Sequence, residues 1–244
     1  MTAIEFPLLQ PAEILAMEEL LLDAAEAGTA GETLAFWESA QHFIVLGYGN
    51  KAATETNQSV CNQLGIPILR RISGGGTVLQ GPGVLNYSLV LGATEGTPLA
   101  TINGANRFIM ERNAAALTAT LGRKVEVQGH TDLAIAGRKF SGNAQRRKRT
   151  HLLFHGAILL NLNLDLLEQV LPMPSLEPAY RGGRKHRDFL TQLSAPATTV
   201  KEALKIAWGA TKTDSLDNLG CDWRASVTQL AAERYSRDDW NLRV

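Results

Sequence analysis

The segment that most constrains the fold of this chain is residues 66–91, which read IPILRRISGGGTVLQGPGVLNYSLVL. β-branched residues and leucines alternate there with glycine-rich turns. This pattern predicts strands on both sides of one flexible loop. We therefore expect a β-sheet that carries a candidate binding loop at 73–76.

The rest of the chain alternates helical and strand patterns. Apolar residues recur at steps of three and four between Ile14 and Ala25, which predicts an amphipathic helix from Pro11 to about residue 27. The same spacing predicts helices at 59–64, 105–121 and 164–171, and one or two more beyond 195. Strands are predicted at 33–37 and 42–47 around a Glu38-Ser39 turn, and at 124–128, 133–135, 139–144 and 152–162. Residues 172–195 carry three prolines and paired glycines, which is typical of an extended surface segment.

Composition limits the class of protein. The 244 residues, 45% hydrophobic and 20% charged, suit one large globular α/β domain. Lysine plus arginine and aspartate plus glutamate both number 24, so no global field attracts nucleic acid or anionic membrane. Acidic residues interrupt the N-terminal apolar residues, and no apolar run is long enough to span a bilayer, so we expect a soluble protein.

The two cysteines, Cys61 and Cys221, share no close spacing. This argues against a zinc knuckle, a redox pair or a disulfide scaffold, and it favours a reducing cytoplasm.

The loop Ser73-Gly74-Gly75-Gly76 follows Arg70-Arg71. Glycines let the backbone approach a ligand with exposed N–H groups, which suits a phosphate or a carboxylate. A glycine triplet between strands is also typical of a plain tight turn, and the two arginines favour the ligand loop over that alternative.

A second candidate element is GRKFSGNAQ, residues 137–145, which follows a predicted Ala136-Gly137 hairpin turn. Ser141, Asn143 and Gln145 alternate along the strand and should share one face, so that Lys139 among them can act as a fixed cation. The alternative is a solvated lysine on an edge strand. The basic residues Arg146 to Arg149 suggest a loop that could attract a nucleotide phosphate or an acidic carrier domain, or one whose charges are simply solvated. A second basic cluster, formed by Arg181, Arg184, Lys185 and His186, could close over a bound nucleotide or simply lie on a flexible loop.

Together these segments resemble the lipoate-protein ligase family. That family shares an Arg-Arg-x-Ser/Thr-Gly-Gly loop, a Pro-Gly-x-Leu-x-Tyr/Phe-Ser strand and a Gly-Lys/Arg-Lys-x-Ser-Gly-x-Ala-Gln strand. These match residues 70–76, 82–88 and 137–145, and a His-Gly-x-Leu-Leu strand matches from His155. The similarity extends from Trp37 to about Leu193.

The resemblance implies an α+β fold like that of the biotinyl and lipoyl transferases, a class II aminoacyl-tRNA synthetase-like mixed sheet flanked by helices. It implies activation of lipoate or octanoate by ATP to an acyl-adenylate, with Lys139 as the catalytic cation. It also implies a Mg²⁺ ion, for which Asp132 is the candidate ligand, although Thr131 stands where the family usually has Asn. The substrate- and adenylate-binding residues that it implies are Trp37, Arg70, Arg71, Ser73, Gly74, Gly75, Gly76, Thr77, Val78, Asn86, Asp132, Ser141, Gly142, Ala144, His155 and Gly156.

The implied acceptors are the lipoyl domains of 2-oxoacid dehydrogenase E2 subunits, the glycine-cleavage H protein or a similar lipoyl carrier. We expect residues 1–244 to form a single catalytic domain, because too few residues follow Leu193 for the family's C-terminal accessory domain. A separate accessory subunit is therefore an open possibility.

Two alternatives to a ligase stay open from the sequence. One is an octanoyl- or lipoyltransferase, which in this superfamily passes the acyl group through a motif cysteine. Neither Cys61 nor Cys221 lies in a motif, so each is interpreted as a small hydrophobic residue. The other is a non-catalytic lipoyl-binding paralogue, which the presence of Lys139 disfavours.

Overall fold

A computed structural model describes residues 1–219 and 222–243. The strands are β1 (Thr2–Glu5), β2 (Thr33–Trp37), β3 (Phe43–Leu46), β4 (Ile68–Arg70), β5 (Val78–Gln80), β6 (Val84–Gly92), β7 (Glu126–Gln128), β8 (Asp132–Ile135), β9 (Arg138–Arg147), β10 (His151–Leu159) and β11 (Lys212–Thr213). The helices are α1 (Pro11–Glu26), α2 (Ala52–Glu55), α3 (Gln58–Leu64), α4 (Ile102–Leu121), α5 (Leu164–Val170), α6 (His186–Phe189), α7 (Ala197–Trp208), α8 (Trp223–Leu230) and α9 (Asp238–Asn241). Within the described ranges, none of the helices has the length and apolar character needed to cross a membrane.

The strands form a large and a small sheet. The large sheet has the order β11-β1-β2-β6-β10-β9-β8-β7 and is antiparallel except where β1 pairs with β2 and β11. The small sheet has the order β4-β3-β5, and the predicted glycine loop connects β4 to β5. The glycine loop is therefore carried by a sheet separate from the one that carries Lys139.

Helices cover both faces of the large sheet. Alternate residues of β10 separate the two cores: Leu152 and Phe154 pack with the core that includes α4 and α7, and Leu153 packs with the core that includes α1 and α8. We call these sides the α4 face and the α1 face. A third apolar cluster, around Ile44 and Cys61, joins the small sheet to α3, α5 and α6.

The order and type of most elements confirm the sequence prediction, because their local signals are strong. The α1 helix begins at Pro11, and the Glu13 carboxylate accepts a hydrogen bond from Gln10 N at 3.0 Å, which caps its first turn. The β8–β9 hairpin turns at Ala136 and Gly137, both with positive φ, as a two-residue loop requires. The mixed α+β architecture is likewise confirmed.

The strands β2 and β3 flank the predicted turn as expected, and they lie in different sheets. Two predicted strand bounds were wrong where pairing across the fold outweighs local pattern. The β9 strand continues through Arg146 and Arg147, which were expected in a loop, because it pairs with β10 as far as Leu152. The strand at 152–162 ends at Leu159. The short β1 strand was not predicted at all, and it is defined by parallel pairing with β2.

Replacing Phe154, which is fully buried on the α4 face, tests this layered packing. Phe154→Ala should lower the free energy of unfolding by about 3–5 kcal/mol through the cavity it leaves. The control Ile206→Ala, at a side chain that is 74% exposed on α7, should change it by less than about 0.5 kcal/mol. Urea unfolding of both variants measures the difference, and equal stabilities would contradict the assigned core.

Candidate active site

A cavity of about 750 Å³ lies against the α1 face of the large sheet, beneath the glycine loop. Strand pairing determines which side chains lie on this face of the sheet. Trp37 is opposite Asn86, and His155 is opposite both Ser88 and Ala144. Three of the motifs found in the sequence therefore contribute side chains to the same side of one sheet. The volume is in the range of sites that enclose a small organic ligand.

A β-bulge aims Lys139 into this cavity. Ser141 pairs with Leu133 and Lys139 pairs with Ala134, so Phe140 is an extra residue in β9. Phe140 and Ser141 both turn to the α4 face, and Lys139 consequently lies on the α1 face. The prediction that Lys139 shares a face with Ser141, Asn143 and Gln145 was wrong, because strict alternation fails at the bulge. Those three side chains share the opposite face, where Asn143 accepts from Tyr87 OH at 2.6 Å.

The Lys139 ammonium lies across Gly142 and pairs with Asp132. Its Nζ is 2.8 Å from Asp132 Oδ1, and a Cβ placed on Gly142 would be 2.7 Å from Nζ, so the ammonium occupies the space that a side chain at position 142 would enter. The second oxygen of Asp132 accepts from Tyr180 OH at 2.7 Å. Burial and the charge of Asp132 raise the pKa of Tyr180, which keeps this donor protonated. The segment before α6 is thereby tied to β8.

This geometry does not fit Asp132 as the expected Mg²⁺ ligand. Both of its carboxylate oxygens are already paired, one with an ammonium and one with a hydroxyl. In the part of the chain that the structure describes, no three His, Cys, Asp or Glu side chains come together as metal ligands. A single carboxylate whose oxygens are already paired is a poor ligand set for Mg²⁺, which prefers several oxygen ligands.

Arg71 holds the glycine loop by its carbonyl groups. The guanidinium donates to Gly74 O at 2.5 Å and to Gly76 O at 2.8 Å, and Nε donates to Ser73 Oγ at 2.9 Å. Burial lowers the pKa of Arg71 to about 10, against the opposing charge of Glu18, so the group is still cationic at neutral pH. Within residues 1–219 and 222–243, the backbone N–H groups of 74–77 donate to no protein acceptor. The loop thus presents unpaired amide donors, which suits an anionic ligand.

A buried polar chain links this loop to α1. Ser73 Oγ is 2.6 Å from His155 Nε2, and His155 Nδ1 donates to Glu18 Oε2 at 2.8 Å. The other oxygen of Glu18 accepts from Ser88 Oγ at 2.5 Å and from Trp37 Nε1 at 3.1 Å. Burial opposes ionisation of Glu18, but the charge and hydrogen bond of His155, with those of its other two donors, leave its pKa below the usual value. The chain fixes the loop rather than supplying a nucleophile, because Ser73 is fully buried and does not line the cavity.

The glycine loop and the lysine converge on one space. A Cβ on Gly75 would lie 3.4 Å from Ala144 Cβ, so the loop passes over Ala144. The ammonium of Lys139 lies over Gly142, two residues earlier on the same face of β9. Residues two apart in a strand are separated by about 7 Å. The ammonium and the glycine loop therefore line the same cavity about two strand residues apart, a spacing that suits a carboxylate or phosphate group.

Arg70 has a different role from the one expected for it. Its guanidinium is fully buried and donates only to main-chain carbonyls, so it cannot contact a ligand in the cavity. These acceptors come from two segments, namely Gly47, Tyr48 and Asn50, and Trp240, Asn241 and Arg243, at 2.7–3.0 Å. Tyr48 N in turn donates to Ser73 O at 2.8 Å. Arg70 thus joins the turn after α9 to the segment that supports the glycine loop.

Most of the residues singled out from the sequence line the cavity together. They are Trp37, Arg71, Gly75, Gly76, Thr77, Val78, Asn86, Asp132, Lys139, Gly142, Ala144, His155 and Gly156, together with Ser141, whose side chain turns to the α4 face. Arg70, Ser73 and Gly74 do not line it. Sequence reasoning missed Glu18 and Tyr180. Glu18 carried a usable signal, because it falls four residues after Ile14 and three before Leu21, on the apolar stripe of α1.

The cysteine that the structure describes is not placed for covalent chemistry. Cys61 is fully buried in α3, packs in the third apolar cluster and does not line the cavity. Burial raises the pKa of its thiol, which disfavours the reactive thiolate. Cys221 lies outside the described residues. The interpretation of Cys61 as a small hydrophobic residue therefore agrees with its surroundings.

Comparison with known proteins gives consistent matches. A family model described as the lipoyl protein ligase A/B catalytic domain matches residues 10–206. The probable lipoate-protein ligase A of Mycoplasma pneumoniae is 27% identical over an alignment of 237 positions, which covers 93% of this chain and 67% of that protein. The octanoyltransferase LipM of Carboxydothermus hydrogenoformans is 30% identical over an alignment of 260 positions, which covers 95% of this chain and 94% of that protein.

Solved structures share the fold. A crystal structure of lipoate-protein ligase A bound with ATP aligns with a TM-score of 0.82 at 22% identity and covers 99% of both chains. A bipartite lipoate protein ligase from Thermoplasma acidophilum, described with its E2 lipoyl domain, aligns with a TM-score of 0.80 at 22% identity. That match covers 99% of this chain and 95% of the other. The expected ligase-like α+β fold is confirmed.

The buried Arg70 guanidinium gives a stability test. Arg70→Gln removes the donors to six carbonyl groups and leaves them unsatisfied, so the free energy of unfolding should fall by about 3–5 kcal/mol. Arg123→Gln, at an exposed position, is the matched control and should change it by less than about 0.5 kcal/mol. Denaturant unfolding measures both, and a stable Arg70→Gln protein would contradict the structural role.

Proposed function

The chain belongs to the lipoyl protein ligase A/B catalytic-domain family, and from this premise we propose that it is a lipoate-protein ligase. It activates lipoate or octanoate with ATP as an acyl-adenylate and transfers the acyl group to a lysine of a lipoyl domain. The observation that carries the proposal is the convergence of the Lys139 ammonium and the free amides of 74–77 on one cavity. The ligase relatives and the ATP-bound neighbour support the same reaction.

The first step brings two anions together. A carboxylate oxygen of the acid forms a bond to the α-phosphorus of ATP, the bond from that phosphorus to the bridging oxygen of the β-phosphate breaks, and pyrophosphate leaves. Negative charge accumulates at the α-phosphate in the transition state. We assign Lys139 and the loop amides to stabilise it, since both are fixed before reaction and need no reorganisation.

Asp132 has a positioning role in this proposal. Its carboxylate holds the Lys139 ammonium over Gly142, and Tyr180 holds the carboxylate in place. An incoming phosphate competes with Asp132 for the ammonium. The ammonium is only partly exposed, so the competition takes place in a partly desolvated site where charge interactions are stronger than in water.

The second step needs no nucleophile from the enzyme. The neutral amine of the acceptor lysine attacks the acyl carbon, the carbon–nitrogen bond forms, AMP leaves with the electrons of the anhydride bond, and the amine loses a proton. Holding the two reactants in line accounts for most of the acceleration that such a step requires. The Arg71-bound loop lines the same cavity and can keep the adenylate in place.

A thioester-dependent octanoyltransferase is the second candidate, and the full-length match to a LipM protein favours it. That chemistry requires a thiolate beside the acyl group. The buried Cys61 outside the cavity does not meet the requirement. We therefore favour the ligase.

We further propose that this chain acts as one catalytic domain in the cytoplasm. It spans 67% and 68% of the length of two ligase relatives. Whether adenylate formation also needs an accessory unit is therefore tested separately. Assaying adenylate formation with the purified chain alone answers it. Pyrophosphate release from lipoate and ATP without a second protein would show that no accessory subunit is needed.

Removing the ammonium tests the adenylation site. Lys139→Met should lower the rate of lipoate-dependent pyrophosphate release by about 10²- to 10³-fold, the usual cost of losing one fixed donor to a developing charge. Lys124→Met, at an exposed lysine that precedes β7 and does not line the cavity, should leave the rate unchanged. A Lys139→Met enzyme with the wild-type rate would contradict the proposal. A wild-type chain that releases no pyrophosphate but transfers octanoate from a thioester donor would favour the transferase.

Removing both thiols separates the two enzyme classes. The Cys61→Ala, Cys221→Ala double variant should transfer lipoate to an apo-lipoyl domain at a rate within about twofold of wild type, because a ligase forms no thioester. The measurement is the mass shift of the lipoyl domain with ATP and lipoate, with octanoyl-thioester as the alternative donor. Loss of transfer in the folded double variant would establish thioester chemistry instead.

A further inference from the structure

A group of aromatic and cationic side chains lies beside the cavity without a role in the reaction described above. It consists of Tyr48, Arg146, Trp240 and Arg243, and we call it the Tyr48 patch. The guanidinium of Arg146 is 5.8 Å from the centre of the Tyr48 ring, and that of Arg243 is 4.3 Å from the same ring and 4.0 Å from the Trp240 ring. The Tyr48 side chain is 45% exposed and Arg146 is exposed, so the patch is open to a partner.

Strand geometry places the patch at the rim of the site. Arg146 follows Ala144 by two residues on β9 and is opposite Leu153, so it lies on the α1 face with the cavity. The side chains of Ala144 and Arg146 therefore start about 7 Å apart. The glycine loop passes over Ala144, and Tyr48 N donates to Ser73 of the same loop. A molecule seated on the patch is next to the glycine loop.

The cationic side chains of the patch have no counterion among the residues that the structure describes. Among residues 1–219 and 222–243, no carboxylate lies within ion-pair distance of Arg146 or Arg243. The nearby Asp239 is 2.7 Å from Arg237 instead. Beneath the patch, Arg70 is bound only to carbonyls, and burial together with the charge of Arg243 lowers the pKa of Arg70. Positive charge is thus concentrated here although the formal net charge of the chain is zero.

We propose that the Tyr48 patch is a docking surface for an acidic face of the acceptor protein, next to the lysine that receives the acyl group. The inference rests on the proposed function. Uncompensated arginines at a rim attract an acidic partner and orient it, chiefly through the association rate. Tyrosine, tryptophan and arginine are also the residues most enriched among those that dominate binding energy in protein interfaces. The arginines of the patch can therefore attract and orient an acidic partner, and its aromatic rings can contact that partner beside the reaction centre.

The test uses the full chain and a purified apo-lipoyl domain of a 2-oxoacid dehydrogenase E2 subunit. Arg146→Glu should raise the Kd for this domain by about tenfold at low salt, and Arg146→Gln by a smaller factor, because a rim charge acts mainly on association. Pyrophosphate release from lipoate and ATP should stay within twofold of wild type in both variants. The affinity of wild type should fall with added salt, and that of Arg146→Glu should depend less on salt.

Arg123→Glu is the matched charge reversal. Gln145, next to Arg146, bonds to Ile102 O and Asn106 at the N-terminal end of α4, whereas Arg123 follows the C-terminal end. The two arginines are separated by about the length of this 20-residue helix, roughly 30 Å. Arg123→Glu should leave the Kd for the lipoyl domain unchanged.

Because this test measures the Kd for the lipoyl domain, its outcome is independent of the test of adenylate formation by pyrophosphate release. Three results would each overturn the docking proposal. They are an unchanged Kd in Arg146→Glu, a wild-type Kd that does not depend on salt concentration, and an equal rise of the Kd in Arg123→Glu. A parallel loss of pyrophosphate release would also overturn it, because Arg146 would then act on the nucleotide or the acid. A chain that binds the lipoyl domain through Arg146 but uses no ATP would refute the ligase and retain the docking surface.

Discussion

The chain of polar contacts from Glu18 through His155 and Ser73 to Arg71 is the interaction on which the site depends. It encloses a carboxylate and a guanidinium, each of which is costly to remove from water. The cost is offset because the donors and acceptors along the chain are paired, including those that Trp37 and Ser88 provide. Since its members come from α1, β10 and the glycine loop, forming the chain requires the whole α1 face to assemble. The shape of the loop is thus a consequence of the complete fold.

The large sheet positions the lysine by an irregularity in β9, where the alternation of side chains between the two faces of the sheet is interrupted. The extra residue Phe140 fills the core on the α4 face, and the register change moves Lys139 to the opposite face. A bulge of this kind re-aims one side chain without disturbing the strand beyond it. The local rule thus fails at the residue that carries the proposed chemistry, which is where such conflicts are expected in natural proteins.

The adjacent residues Arg70 and Arg71 show how far sequence reasoning reaches. Both were expected to contact an anionic ligand, and successive residues of an extended chain point in opposite directions. Arg71 turns toward the cavity and binds the loop carbonyls, whereas Arg70 turns away and binds the 47–50 segment and the turn after α9. Nothing in the local pattern indicates which arginine meets those distant segments. Glu18 was overlooked for a similar reason, because its partners lie far away in sequence.

The sequence alone determined the elements with strong local signals, the motifs and the family they resemble, since turn chemistry, periodicity and motif spacing are properties of neighbouring residues. The same short-range information placed most of the cavity-lining residues in the correct segments. Only the tertiary structure decided that Lys139 and the glycine loop line one cavity, that Arg70 is a support and that Asp132 is already paired. Each of these facts depends on which distant segments become neighbours, and that is set by strand register and core packing over the whole chain.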